Sequence, residues 1–600
     1  MALVSIVPGY LLLSLDKRLN DVERLGAAMA ISFILIGGAS LLLHSAGFNI
    51  LYSLLTVVPI VFYIAWKKVK VTFNVPRMLL LALFIAVTVR FILQFFFNVP
   101  MVGDSYFHMD MARTFTTDRW FEVDAIDNLW SGIKFPFPEE YRPPFFNFVM
   151  GFFFNIFETS FYIGKILNVI IGGLLVVPTY MIARKFGSEK ASVMAALFIA
   201  LNPLIISQSL ETEVRIFASF LSLLSFYFFM KGEAFWSYSG ALLGLVFMTH
   251  YAPAFILIVT YMVCIILFYR KIVFSRKSVT LILSFLVIAS PWLVRNQIIY
   301  GDAFYSSSRS VGYVTEFDKA FSLEKPDIGK LISMIEADPQ RYIFIKTTNL
   351  LRTFLPVPFE ASHDNFTFNP DPGTNHNIML SAITMLVTPT VFIFFAMYAW
   401  SGIKRFFDRK NVSRSMILLY IAIGIVISLI FWNFRSPSTH NFLYQFLFII
   451  AGLGFVQMSM MKISPIWTKV TLVSIVLFLL AQIPAYNLRL DARTDFGQDW
   501  IKDMTEPDEI IMLRWTNIHA INLLTDRKIV AMPFEDEDRI LQFARENGIN
   551  YLVIDSIDTE NGRLSIDSLK KKLDFVGEYK IREPEYSREY TNTYWMFRVF

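Results

Sequence analysis

The chain has 600 residues, 55% of them hydrophobic and only 17% charged, with a mean hydropathy of +0.51, which excludes an ordinary soluble or disordered protein and fits a multi-span membrane protein. The net charge of +5 is small for this length and gives no basis for a nucleic-acid partner. The single cysteine, Cys264, excludes an intrachain disulfide and a cysteine-based metal site, and the seven histidines show no HExxH-type spacing.

The opening "MALVSIVPGYLLLSLDKRLN" has an apolar stretch but neither a basic start nor a small-residue cleavage site. It is expected as a short span or an interfacial segment rather than a signal peptide. Apolar runs then predict spans near 3–15, 26–44, 48–66, 78–98, 159–182, 191–208, 214–230, 236–250, 252–269, 278–294, 376–398, 415–432, 441–459 and 467–485. At roughly 20 apolar residues per crossing of a ~30 Å hydrocarbon core, this makes an α-helical polytopic membrane protein of about 13–14 transmembrane helices. The basic loops "WKKVK" (66–70), "ARKFGSEK" (183–190), "YRKIVFSRK" (269–277) and "KRFFDRKNVSR" (404–414) all fall on one side with these spans, the side expected to be cytoplasmic.

The same topology leaves 99–158, a short loop near 209–213, 295–375 and the tail from about 486 outside. From Asp104 to Arg142 the first external loop holds eight carboxylates (Asp104, Asp110, Asp118, Glu122, Asp124, Asp127, Glu139, Glu140) against four basic residues (Arg113, Arg119, Lys134, Arg142). Within it, "PPFFNFVMGFFFNIF" is too short to span comfortably and is expected as an interfacial helix started by the proline pair. In the tail, "DEIIMLRW", "KIVAMP" and "INYLVIDS" predict strands, and "DEDRILQFAREN" predicts a helix stopped by Gly548. Three regions are expected: N-terminal helices (1–70), a membrane domain (71–485), and a small soluble extracytoplasmic α/β domain (486–600).

The chemistry collects at the outer face. "MVGDSYFHMDMAR" (101–113) follows directly on an apolar run, and "QSLETEVRIF" places Glu211 and Glu213 at the exit of another span. Facing carboxylates hold a divalent cation through hard oxygen ligands, or one of them serves as general base toward a hydroxyl. A lone acid at a helix exit is also often merely solvated. Asp104 and His108 are four apart and share a helix face, so His108 is a candidate to cap or orient that carboxylate. Glu211 and Glu213 share a face only if their loop is extended. External arginines (Arg113, Arg142, Arg295, Arg309, Arg352, Arg435) offer forks that match phosphate oxygens, or simple headgroup anchors. Arg435, in "WNFRSPSTHNF" between two spans, lies where a lipid phosphate would sit.

At these residues the sequence resembles the GT-C membrane glycosyltransferases, over roughly residues 78–600. "GDSYFHMDMAR" is similar to that family's acidic first-loop motif, and "YRPPFF" (141–146) to its Pro-Pro segment. The spans around "FYIGKILNVIIGGLLVVPTYMIARKFG" and "ALFIALNPLIISQSLETEVRIF" resemble those of protein O-mannosyltransferases and oligosaccharyltransferase catalytic subunits. "MTHYAP", "PWLVRNQIIYGDAFYSS" and the tail "NLLTDRKIVAMP" are similar in kind.

The resemblance implies a GT-C fold and transfer of a sugar from a polyprenyl (dolichyl)-phosphate donor to a protein, glycan or lipid acceptor on the extracytoplasmic face, within the cell membrane. It implies Asp104 as the catalytic carboxylate, expected to act as general base; beside it His108 is the second catalytic candidate, and Arg435, Arg295 and Arg142 are the expected donor-phosphate grip. Direct displacement at the anomeric carbon would invert its configuration. An oligosaccharyltransferase-like site would add a divalent cation, Mn²⁺ or Mg²⁺, on Asp104, Glu211 and Glu213, with Glu316 as a weaker further match. That branch's Trp-Trp-Asp-Tyr-Gly motif is absent: the matching place, "LRWTNIHA", keeps only Trp515, which favours transfer of a single sugar without a required cofactor. The rival of another class is a lipid-carrier flippase, which would place ionisable groups near the bilayer midplane. A polysaccharide polymerase or ligase would work through His363, His376 or His440.

Overall fold

The computed structural model describes residues 1–305, 323, 328–340, 343, 412–431, 449–450, 452 and 497–600, apart from 46–48, 97–103, 118–119, 139–142, 515–517, 561–563, 581–592 and scattered positions within 68–70 and 121–132. The expected spans 376–398, 441–459 and 467–485 lie almost wholly outside the described residues, as do the side chains of Arg435, Arg142, Glu316, Arg309, Arg352, His363, His376 and His440.

The helices run in chain order as α1 (Ala2–Leu13), α2 (Asp21–Ser45), α3 (Val57–Trp66), α4 (Arg77–Phe96), α5 (Asp104–Thr114), α6 (Phe145–Phe157), α7 (Phe161–Leu174), α8 (Val176–Arg184), α9 (Glu189–Leu201), α10 (Pro203–Leu210), α11 (Val214–Lys231), α12 (Trp236–Phe247), α13 (Tyr251–Phe268), α14 (Arg276–Tyr300), α15 (Ile328–Ala337) and α16 (Val412–Phe431). Among the described residues, six stretches are long and apolar enough to cross a membrane: Asp21–His44, Arg77–Phe95, Phe161–Arg184, Val214–Lys231, Tyr251–Phe268 and Arg276–Tyr300. The protein is therefore a multi-pass α-helical membrane protein, with fewer full-length helices among the described residues than the apolar runs suggest.

One expected span is broken for a local reason. The run at 191–208 breaks into α9 and α10 at Asn202, whose side chain accepts from Ile205 N–H at 3.0 Å and starts a new helix with proline in its first turn. The break frees carbonyls at the end of α9 within the bundle. Arg90 of α4, fully buried, donates to Ala200 O at 2.8 Å and to Ser209 Oγ at 3.1 Å, so the intramembrane guanidinium is spent on the exposed backbone.

Sidedness follows from contacts at the helix ends. Lys231 meets Glu23 at 2.6 Å, Arg18 donates to Ala234 O at 3.2 Å, Lys185 donates to Met230 O at 3.3 Å, and Asp21 accepts from Asn74 N–H at 2.6 Å. Lys277 pairs with Glu233. The basic turns near 66–76, 183–190, 231–236 and 270–277 thus share one end, the cytoplasmic one by charge. At the opposite end Phe145 N–H donates to Met248 O at 2.8 Å, Tyr300 Oη to Pro138 O at 3.0 Å, and His44 stacks on Trp120 at 3.9 Å between ring centroids.

Helix α6 forms where expected, but Phe145–Phe154 are all buried, so it packs inside the protein rather than lying on the lipid interface. Its N-cap is Pro144. Gly37 of α2 abuts Phe148, a contact in which neighbouring protein takes the place of lipid.

The tail is an α/β domain. Its helices are α17 (Gln498–Met504), α18 (Ile518–Thr525), α19 (Glu537–Glu546), α20 (Ser556–Glu560) and α21 (Ile566–Lys572). The strands are β1 (Glu122–Val123), β2 (Ala125–Ile126) and β3 (Phe137–Pro138) from the first external loop, then β4 (Ile510–Leu513), β5 (Lys528–Ala531), β6 (Tyr551–Asp555), β7 (Asp574–Lys580) and β8 (Thr593–Arg598). One six-stranded sheet has the order β2-β5-β4-β6-β8-β7, parallel from β2 to β6 and antiparallel beyond. The predicted strands and the helix before Gly548 are all present. The added element is β2, which pairs Ala125 with Ile529 and makes the first external loop an edge of the tail's sheet.

Candidate active site at the outer face

Helix α5 begins at Asp104, and His108 follows one turn later on the same face. The Asp104 side chain lies outside the described residues, but its neighbour is informative: Ser105 Oγ accepts from the Thr212 N–H at 3.2 Å. The two acidic segments, far apart in sequence, therefore meet at one place.

Helix α7 builds the other wall. Asn168 Nδ2 donates to the Glu213 carbonyl at 2.9 Å and also to that of Glu211. A Cβ on Gly164 would stand 2.4 Å from Thr212, so only glycine lets α7 approach the segment this closely. Glu211 (φ −91°, ψ 148°) and Glu213 (φ −125°, ψ 150°) are both extended, the geometry in which residues two apart leave the chain on one side. Both are buried, at 3% and 1% exposure. Glu213 Oε2 lies 3.0 Å from Arg215 Nη1, while its buried Oε1 accepts no hydrogen bond among the described residues. Carboxylate oxygens are the ligand class that hard divalent cations take, but among the described residues no group of three such side chains is close enough to hold one.

His108, 1% exposed, shares a hydrogen bond with Asn147 of α6, Nδ1 to Oδ1 at 2.7 Å. With the amide oxygen as acceptor, Nδ1 carries the proton. Tyr106 is buried against Phe161, and that burial pushes its phenol up to about 12, so it stays a donor at neutral pH.

The arginines divide. Arg113 is engaged by Asp110, Asn522 and Asp526, which makes it a bridge to α18 rather than a phosphate grip. Arg295 stands at the outer end of α14, 4.7 Å from the Trp292 ring centre, and donates to Asn296 Oδ1 at 3.0 Å. The nearby Tyr300–Pro138 bond brings that end of α14 to the first external loop. Asp110, His519, Asn147 and Asn168 were not singled out by sequence reasoning. Each lies within a stretch that carries the resemblance or the topology, but nothing local marks any of them over its neighbours.

A sequence profile described as dolichyl-phosphate-mannose-protein mannosyltransferase matches residues 141–294, from the end of the first external loop through most of α14. No curated protein sequence matches the chain. Among solved structures, the chain is similar to the archaeal oligosaccharyltransferase AglB from Archaeoglobus fulgidus in complex with an inhibitory peptide and a dolichol-phosphate, at 14% identity and a TM-score of 0.50, covering 86% of this chain and 75% of that one. The apo form of the A. fulgidus oligosaccharyltransferase gives the same identity, coverage and TM-score. ArnT from Cupriavidus metallidurans bound to undecaprenyl phosphate aligns at 13% identity and a TM-score of 0.49, over 87% of this chain and 98% of that one. The chain shares the overall fold of the two oligosaccharyltransferase structures, a GT-C membrane glycosyltransferase-like fold.

Proposed function

We propose that this protein transfers a sugar from a polyprenyl (dolichyl)-phosphate-linked donor to an acceptor hydroxyl at the extracytoplasmic face of the membrane. The observation that carries the reading is the Ser105–Thr212 bond, which joins the Asp104 helix to the Glu211–Glu213 segment at the outer ends of the bundle. The matched mannosyltransferase profile over 141–294 supports the donor class.

On this reading Asp104 takes the proton of the attacking hydroxyl, with His108 one turn behind it. The polyprenyl phosphate leaves as an anion, stabilised by external arginines, for which Arg435, Arg295 and Arg142 are the candidates. A single direct displacement inverts the anomeric carbon. General-base assistance is worth about 10²–10⁴-fold, so alignment and phosphate stabilisation supply the remainder.

The buried, extended Glu211–Glu213 pair favours a second reading, in which these residues and Asp104 hold Mn²⁺ or Mg²⁺ and a preassembled glycan is transferred to protein. A bound cation there would supply Lewis-acid polarisation at the acidic site.

One experiment separates the two. Purified protein in lipid is incubated with a panel of polyprenyl-phosphate sugars, before and after chelation, and the products are weighed by mass spectrometry. Addition of one sugar that survives chelation is the expected result. Transfer of an assembled glycan, lost on chelation and restored by Mn²⁺, selects the second reading. No transfer from any donor removes both.

A further inference from the structure

Asp110 lies at the junction of two segments 409 residues apart in sequence. Its side chain is 2% exposed. Oδ1 accepts from Arg113 Nη2 at 3.1 Å, and Oδ2 faces His519 Nδ1 at 3.1 Å. Arg113 continues across to α18, donating to Asn522 Oδ1 at 2.9 Å and to Asp526 Oδ1 at 3.1 Å. Asn522 is fully buried and passes the contact inward, its Nδ2 donating to Arg527 O at 2.7 Å. Arg527 borders β5, the strand that carries β2 of the first external loop, with Ile529 N–H donating to Asp124 O at 2.8 Å. The Phe107 ring stands edge-on to His519 at 4.8 Å.

The C-terminal half of α5 is thus clamped to the tail domain, while its first residue is the carboxylate assigned to proton transfer. Residues 104 and 110 belong to one unbroken helix. Six residues span about 9 Å of helix axis, so a tilt of ~10° at the clamp displaces residue 104 by roughly 1.6 Å. A misplacement of about 1 Å is enough to cost on the order of 10²-fold in rate. A buried carboxylate held by donors on both oxygens leaves such a clamp little play.

We propose that Asp110 is a positioning residue: by bridging Arg113 and His519 it fixes α5 against the C-terminal domain and so sets where Asp104 stands. This rests on the reading of Asp104 as general base.

The test uses the full chain in lipid nanodiscs. Asp110→Asn keeps the size of the side chain and removes the charge and one acceptor. Its kcat is expected to fall about 10–100-fold with little change in donor KM. Asp110→Glu should recover part of the loss. Hydrogen exchange should quicken in 104–114 and 518–525 while the helices of the bundle keep their protection.

Wild-type turnover overturns the proposal, whether or not exchange changes. So does a kcat loss that merely tracks loss of folded protein, with no selective change in those two helices. Asp104→Asn, measured in parallel, separates the two layers. If it keeps wild-type turnover, the base assignment fails, and selective exchange in 104–114 and 518–525 still decides whether Asp110 is the clamp.

Discussion

Asp104→Asn should lower transfer by about 10²–10⁴-fold, the usual worth of a general base, while leaving insertion and folding intact. The separation of the two effects has a local reason. Asp104 is the first residue of α5, where a carboxylate favours the positive end of the helix dipole by roughly 0.3–1 kcal/mol, and an amide of the same size forfeits no more than that. The substitution therefore costs little stability. What it removes is proton affinity at the place where Ser105 touches Thr212 and the Glu211–Glu213 segment closes in. Turnover in nanodiscs, with size-exclusion behaviour as the folding control, measures both. A variant that keeps a substantial fraction of its turnover removes Asp104 from the mechanism, and with it the site proposed for sugar transfer.

Glu23→Ala should give the largest loss of stability, and it concerns the end of the molecule farthest from that chemistry. The Glu23 side chain is 2% exposed and sits near the start of α2, where it meets Lys231 at 2.6 Å. It also accepts from Tyr227 Oη at 2.6 Å and from Asn20 N–H at 2.9 Å. Lys231 packs over the Phe235 ring at 3.9 Å. Removing the carboxylate strands a buried phenol and leaves the ammonium only the Arg18 carbonyl, at 3.3 Å, and the Phe235 ring. Breaking a buried pair from one side costs about 3–5 kcal/mol, and the lower end applies here because Lys231 retains 17% exposure. Glu23→Gln keeps the acceptor for Tyr227 and should lose less. Thermal melting in detergent reads the difference; an unchanged melting temperature in Glu23→Ala would show that this contact does not hold the N-terminal helices to the bundle. Through it, the α1–α2 hairpin, to which the sequence assigns no role, braces the cytoplasmic end of α11.

Hydropathy and charge were enough to read the membrane class, the sidedness and the outer placement of the acids, because lipid solvation and loop charge act on each segment independently. The strands of the tail were legible for the same reason: "KIVAMP" and "INYLVIDS" announce themselves by composition. Helix α6 shows the limit of such reading. Its phenylalanines satisfy lipid and protein equally, so an interfacial helix and a buried one look alike until Gly37 is found against Phe148. Strand β2 is two residues long, too short for any periodicity, and exists because β5 offers it an edge.

Local pattern singles out the candidates for the chemistry: Asp104 and His108 one helical turn apart, and Glu211 and Glu213 at the exit of a span. Long-range packing sets which of these segments meet. It brought Ser105 to Thr212, held the Glu211–Glu213 segment extended through Asn168, turned Arg113 from a phosphate candidate into a bridge, and set His519 on Asp110. Local preferences act over a few residues of chain, whereas these contacts join side chains up to 409 positions apart, and their register is fixed only when the helices and the tail domain pack as one body.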